Sequence, residues 1–296
     1  MASSTPASGS ARRQPISRWR KVPFFVWASA LFMLLVVLAA VFAPVVSPYD
    51  PIQQSLRERL KSPTWFPEEG KGRHLLGTDQ LGRDVFSRIV FGSRISLVVG
   101  FAAVVVGGLV GGVLGLLSGY AGGLIDELIM LLADAQLAFP FILLAIGIIA
   151  VLGPSFGNLI IVVGLSGWVT YARIVRAQVI VIKEREFVTA IRGLGGSTFR
   201  ILRSHIIPNI LAPFLVIATL ELARTIILES TLSFLGLGIQ PPTPSWGGIL
   251  NEGRGYLDSA WWISAFPGLF LMLTALVVSR VGDWLRDILD PTLRGV

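Results

Sequence analysis

The side chains with chemical potential in this chain are a few charged groups set in apolar sequence. Asp134, Gln136, Glu221, Arg224 and Glu229 stand in or beside runs made otherwise of Leu, Ile, Val, Ala and Gly. An ionisable group at membrane depth is costly, so each one is a functional candidate. The three acids together suit a substrate that carries an ammonium group. Arg224 follows Glu221 at i+3, where it can neutralise it. The competing reading is an internal Glu221–Arg224 pair with the remaining charges packed against a neighbouring chain. Covalent chemistry finds no support: Cys is absent, the only histidines are His74 and His205, and neither a GxSxG nor an HExxH pattern occurs. A multi-His metal centre is excluded on the same count, so no catalytic or metal site is expected. The phosphate loop GxxxxGK[ST] is also missing, because Gly70-Lys71 lacks the upstream glycine. If ATP is used, another chain hydrolyses it.

These groups must be held by membrane helices. The chain of 296 residues is 53% hydrophobic and only 15% charged, with mean hydropathy +0.72, whereas soluble domains carry about 25% charge. Span one is read over 24–46 as an uncleaved helix, because its apolar run is too long for a signal peptide. Residues 1–22 before it are expected to be a disordered basic segment. Residues 23–91 then comprise the first span and a polar external segment, 47–91. Span two is expected at about 94–120. Span three begins near Leu124, carries Asp134 and kinks at Pro140; span four runs over about 159–180 and carries Arg173. Span five is expected to start at Pro208, a good first-turn residue, and to end near Phe234. Residues 236–248 are uncharged but rich in Gly and Pro and read as a loop. Span six covers about 261–281, leaving 284–296 as a tail.

Six spans put both termini on one side. The five Lys/Arg of the N-terminal segment and the five between Lys183 and Arg203 make that side the cytoplasm. The net charge of +7 is thus read as topology anchoring beside membrane lipid, with no nucleic-acid partner. The 47–91 segment carries seven Lys/Arg yet must lie outside, and its six Asp/Glu and its length soften that conflict. Within span two, Gly107, Gly111, Gly115, Gly119 and Gly123 recur every four residues beside Gly108 and Gly112. Such a stripe permits close helix approach, either as a sliding interface or as packing within the chain.

Two polar segments complete the pattern. Lys183–Asn209 reads as a short helix with an early acid, Glu184 or Glu186, at its N-terminus, then a stop at Gly193, Gly195 and Gly196, and a second helix capped by Ser197. That makes a compact knob in which Ala190 and Gly195 permit close approach, and Arg192, Arg200 and Arg203 can meet acidic rims. A solvated connector is the alternative. Outside, Asp79, Arg83, Asp84 and Arg88 are spaced to pair Asp79 with Arg83 and Asp84 with Arg88 on a short helix. They are read as a structural brace or as a contact for a substrate-delivering protein.

The knob resembles the EAA loop of type-I ABC importer permeases. Thr189-Ala190-Ile191, three residues, Gly195, nine residues, then His205-x-Ile207-Pro208 follows that loop's spacing. Ala190, Gly195 and Pro208 are kept, while Thr189, Ile191 and His205 depart from it. Gly77-Thr78-Asp79-x-x-Gly82-Arg83-Asp84-x-x-Ser87-Arg88 and Ser233-Phe234-Leu235-Gly236-Leu237-Gly238, continuing to Trp246-Gly247, resemble segments of the C-type subunits of oligopeptide, dipeptide and nickel permeases. The resemblance covers nearly the whole chain from about residue 20. It implies an all-α membrane protein with six transmembrane helices and cytoplasmic coupling helices, in which 92–283 form the type-I transmembrane domain. It implies an inner-membrane importer of di- and oligopeptides, with a nickel chelate as the alternative cargo. The expected partners are a homologous B-type permease, two ATPase subunits or domains carrying ATP and Mg, and an extracytoplasmic binding protein. Glu186, Thr189, Ala190, Arg192, Gly195, Arg200 and Pro208 would form the ATPase-coupling loop, and Trp246 would join the outer brace or contact. An autonomous ion-coupled transporter using Asp134 and Glu221 is the rival, but it calls for inverted repeats that the sequence does not show.

Overall fold

The computed structural model describes residues 24–66 and 73–289; the readings made for 1–22 and for the end of the tail, 290–296, lie outside those residues. Among the described residues the chain is helical, with one isolated antiparallel bridge between Thr78 and Asp84. Five helices are long and apolar enough to cross a membrane, and a pair bent by 92°, 123–137 with 141–152, makes up to six when taken as one span. The order is α1 (Phe24–Val41), α2 (Ala43–Val46), α3 (Val85–Ala121), α4 (Gly123–Leu137), α5 (Phe141–Leu152), α6 (Phe156–Lys183), α7 (Glu186–Gly193), α8 (Thr198–Ile201), α9 (Ile207–Phe234), α10 (Trp246–Gly253) and α11 (Trp262–Leu289).

Four boundaries differ from the sequence expectation. Helix α3 starts at Val85, well before 94, because the Asp84 carboxylate accepts the Ser87 amide hydrogen at 2.7 Å and caps it there. Asp79–Arg88 is therefore a turn leading into a long helix, not a separate short helix. Span five does not begin afresh at Pro208. A π-helical turn, Leu202–Ile206, joins α8 to α9 without a break. The proline removes one amide donor, and the wider turn before it absorbs the mismatch. The third departure is α10, which opens inside the expected 236–248 loop where Ser245 accepts from the Gly248 amide at 3.1 Å. Helix α11 also runs on to Leu289, past the expected end of span six. The kink expected at Pro140 is present: α4 and α5 meet at 92°.

The glycine stripe closes onto α6. A Cβ on Gly107 would lie 2.6 Å from the Gly164 carbonyl oxygen, one on Gly115 2.6 Å from that of Ala172, and one on Gly119 2.8 Å from Val179. Gly164 reciprocates, with Val106 2.8 Å from its own added Cβ. Gly108 and Gly112 instead receive the Phe214 ring of α9. The stripe is close packing within the chain, and the distances leave no room for even a methyl group to slide past. Gly123 falls off the stripe, beyond the end of α3 and in open space.

Candidate functional site

Three groups of polar residues hang on this frame. The outermost is a buried ion network. Asp79 receives Arg83 Nε at 2.7 Å and also pairs with Arg88. Arg88 spans onward to Glu252 of α10, with Nη1 at 2.7 Å and Nη2 at 3.1 Å from its two oxygens. Arg83 and Gln80 donate to the same carboxylate. Burial raises the pKa of Glu252, but the Arg88 hydrogen bond, the charges of Arg88 and Arg83 and the Gln80 hydrogen bond outweigh that and hold it below its ordinary value. The expected Asp84–Arg88 pair is not formed, because Asp84 is committed to capping α3 and to His74, whose Nδ1 lies at 2.9 Å. His74 Nε2 in turn lies 3.3 Å from Glu58. Trp246 is fully buried and donates its indole N–H to the Ile89 carbonyl at 3.0 Å, while Trp262 does the same to Thr78. Asp79, Arg83, Asp84, Arg88 and Trp246 are all buried. Glu252 escaped the sequence reading. Its one signal was its place as the first charge after the uncharged run 230–251, and nothing local could pair it with Arg88, 164 residues away.

The second group lies within the spans. Asp134 of α4 pairs with Arg173 of α6, and both are open, at 64% and 47% side-chain exposure. Gln136 ties the same two helices, donating to the Leu165 carbonyl at 3.0 Å and accepting from the Trp168 indole. On α9, Arg224 Nη1 lies 3.0 Å from Glu221. The Glu221 carboxylate is buried against Gly167, whose added Cβ would sit 3.0 Å from it, while Arg224 is half exposed. Glu229 departs from its expected place on a substrate path. It is fully buried and accepts hydrogen bonds from Ser233 at 2.7 Å and Ser230 at 3.2 Å. Arg173, read from sequence only as a charge carried by span four, belongs with the exposed group.

The third group is the knob. Helix α7 ends at Gly193, Gly195 takes φ +80°, and Ser197 caps α8 by accepting from the Arg200 amide at 3.4 Å. The positive φ is the conformation that glycine adopts without a Cβ clash. One side of the knob is buried: Val188, Ile201 and Ile206 pack on Val175, Val179 and Ile182 at the end of α6. The other side is open. Glu186, Thr189, Ala190, Arg192, Gly195, Arg200 and Pro208 are all exposed, as are Leu194 and Phe199 at 88% and 71%. Large apolar side chains held out on a small polar knob mark a contact surface. Among the described residues no three His, Asp or Glu side chains converge as metal ligands would.

Comparison with known proteins fits this arrangement. Residues 111–295 match the family of binding-protein-dependent transport system inner membrane components, and residues 17–63 match the N-terminal transmembrane domain of oligopeptide transport permease C. The chain is 45% identical over 264 residues to the di/tripeptide transport system permease protein DppC of Pseudomonas aeruginosa strain UCBPP-PA14, covering 89% of this chain and 87% of that one. It is 46% identical to the dipeptide transport system permease protein DppC of Escherichia coli K12, covering 89% and 88%. It is 40% identical to the glutathione transport system permease protein GsiD of Escherichia coli O6:K15:H31, covering 94% and 90%. A chain of the MetNI methionine ABC transporter, solved in inward-facing conformations, superposes with a TM-score of 0.57 at 18% identity, over 69% of this chain and 97% of that one. The chain belongs to the binding-protein-dependent ABC importer permease family and has its type-I fold. It is a multi-pass permease subunit of the inner membrane, and the relatives it matches are permeases, not enzymes.

Proposed function

We propose that this chain forms half of the translocation path of an ATP-driven importer of di- and oligopeptides. The single observation that carries the cargo is the 45–46% identity to permeases named for di/tripeptide and dipeptide transport. A homologous B-type permease supplies the other half of the path, and an extracytoplasmic binding protein delivers the peptide. Two ATPase subunits or domains, holding ATP and Mg, dock on the knob of α7 and α8. The exposed Leu194 and Phe199 support that docking, because such groups need an apolar partner. The buried side of the knob, packed on α6 and continuous with α9, gives partner closure a rigid lever on two spans. Both termini lie in the cytoplasm, a topology supported by the basic knob and by an even count of crossings when the bent pair is taken as one span. The chain itself needs no cofactor.

The test is reconstitution of the tagged chain with its co-purifying partners in proteoliposomes. The wild-type complex is expected to contain a second permease and ATPase and to take up dipeptide only with ATP and binding protein. Gly195→Trp is expected to leave the complex in the membrane but to uncouple ATP hydrolysis from uptake: an added Cβ meets no other atom within 4 Å, and Gly195→Ala, which bears the same backbone strain at φ +80° without the bulk, is expected to keep more of the coupling. A chain that purifies alone, or a Gly195→Trp complex with normal uptake, overturns the reading.

A further inference from the structure

The corner where α3 turns into α4 holds an ion pair that belongs to none of the three groups above. Asp126, in the first turn of α4, receives Arg176 of α6 through two parallel hydrogen bonds. Nε lies 2.5 Å from Oδ1 and Nη2 lies 2.6 Å from Oδ2. Such a fork is the geometry in which a guanidinium holds a carboxylate most firmly. Ser118 of α3 donates its hydroxyl to the same carboxylate. One side chain therefore joins α3, α4 and α6. It is also better sheltered than the open pair further along α4: Asp126 is 18% exposed and Asp134 64%.

The same corner is tied to the knob. Lys183, the last residue of α6, donates to the Gly119 carbonyl at 2.8 Å. The Arg192 guanidinium of α7 lies 5.9 Å from the centre of the Tyr120 ring near the end of α3, within cation–π reach. Leu116 and Tyr120 also pack on the cluster that seats Val188, Ile201 and Ile206 of the knob. The knob and the adjoining ends of α3 and α6 thus move together. Helix α4 is joined to them less firmly. Gly122 at φ +67° and Gly123 at φ +53° link it to α3, and an added Cβ on either meets no atom within 4 Å. Packing therefore does not fix the angle at which α4 leaves α3, and the links to α6 must set it. Of those links, Asp126 is the one beside the knob.

We infer that Asp126 is a positioning residue for coupling: gripped by Arg176 and Ser118, it makes α4, and through the bend α5, follow the knob when a partner drives it. Without that grip α4 hinges at the two glycines and lags behind α6. The inference rests on the knob being the ATPase docking surface, and it adds the bent pair α4 and α5 to the two spans that the knob moves directly.

The experiment uses the full complex with its binding protein in proteoliposomes and reads dipeptide taken up per ATP hydrolysed. A link that only holds the fold changes the amount of working complex, so uptake and hydrolysis fall together and their ratio stays. Asp126→Asn keeps the shape of the side chain and an acceptor for Ser118 but loses the charged fork. It is expected to lower the ratio about tenfold, the loss of one charge-assisted hydrogen bond. Arg176→Gln is expected to do the same, and the double variant to fall no further, as for a single shared link. A wild-type ratio in Asp126→Asn, or a double variant whose fall is the product of the two single falls, overturns the inference. If Asp126→Asn does not assemble, Arg176→Lys decides, because it keeps the charge and gives up the fork. A ratio lowered about threefold then supports the inference, and an unchanged ratio overturns it. A wild-type complex whose uptake does not depend on ATP overturns the docking reading itself, and this inference with it.

Discussion

The outer cap and the inner knob are both polar ends of one helical frame, yet they treat their charges in opposite ways. In the cap, buried Asp79, Arg83 and Arg88 are cross-linked with partly buried Glu252, and two tryptophan N–H groups close on backbone carbonyls distant in sequence. In the knob, Glu186, Arg192 and Arg200 stand in solvent beside exposed Leu194 and Phe199. A region that satisfies its own polar groups is finished, and its contribution is rigidity. A region that leaves apolar groups outward on a firmly seated base is incomplete without a partner. The cap thus fixes α3 against α10 and α11, while the knob offers the exposed surface proposed above as the ATPase docking site.

The comparison can be broken most sharply at Arg88. Its removal leaves Arg83 alone to compensate both Asp79 and Glu252, and one uncompensated charge in such a site costs about 3–5 kcal/mol. Arg88→Leu is expected to lower the unfolding temperature of the detergent-purified protein strongly or to prevent its accumulation, and a near-normal melting temperature would show the network to be ornamental. A smaller effect is expected from acid. The folded-state pKa of Glu252 is depressed, so its stabilisation is present above the ordinary value of 4.5 and is lost as pH falls through the lower folded value. Wild-type melting temperature should therefore drop in that acid window. Glu252→Gln should start lower at neutral pH and show a shallower drop, and parallel pH profiles for the two proteins would contradict the assignment.

Much of this contrast was legible in the residues. The knob could be read because its signals are local: Gly195 stops one helix, Ser197 caps the next, and both act within a few residues. Pro140 marked the bend of the third crossing for the same reason. Pro208 misled, because a first-turn proline and a proline after a π-helical turn look alike in sequence, and only tertiary packing decides between them. The glycine stripe announced a close approach but not its partner, since nothing along α3 points to α6. The cap was half readable. Asp79 and Arg83 are four apart, whereas Glu252 and Arg88 are joined only by the fold. Glu229 and Glu221 show the same limit: two acids eight residues apart on one helix, one sunk among serine hydroxyls and the other held behind an exposed arginine.

The most direct test of the contrast is amide hydrogen exchange of residues 77–91 and 246–253 against residues 186–206, in the isolated chain and in the complex with its ATPase partner. The expected result is slow exchange of the cap in both states, and fast exchange of the knob in the isolated chain that slows markedly once the ATPase is bound. A knob whose exchange is unchanged by the ATPase, or a cap that exchanges as fast as the knob, would contradict it.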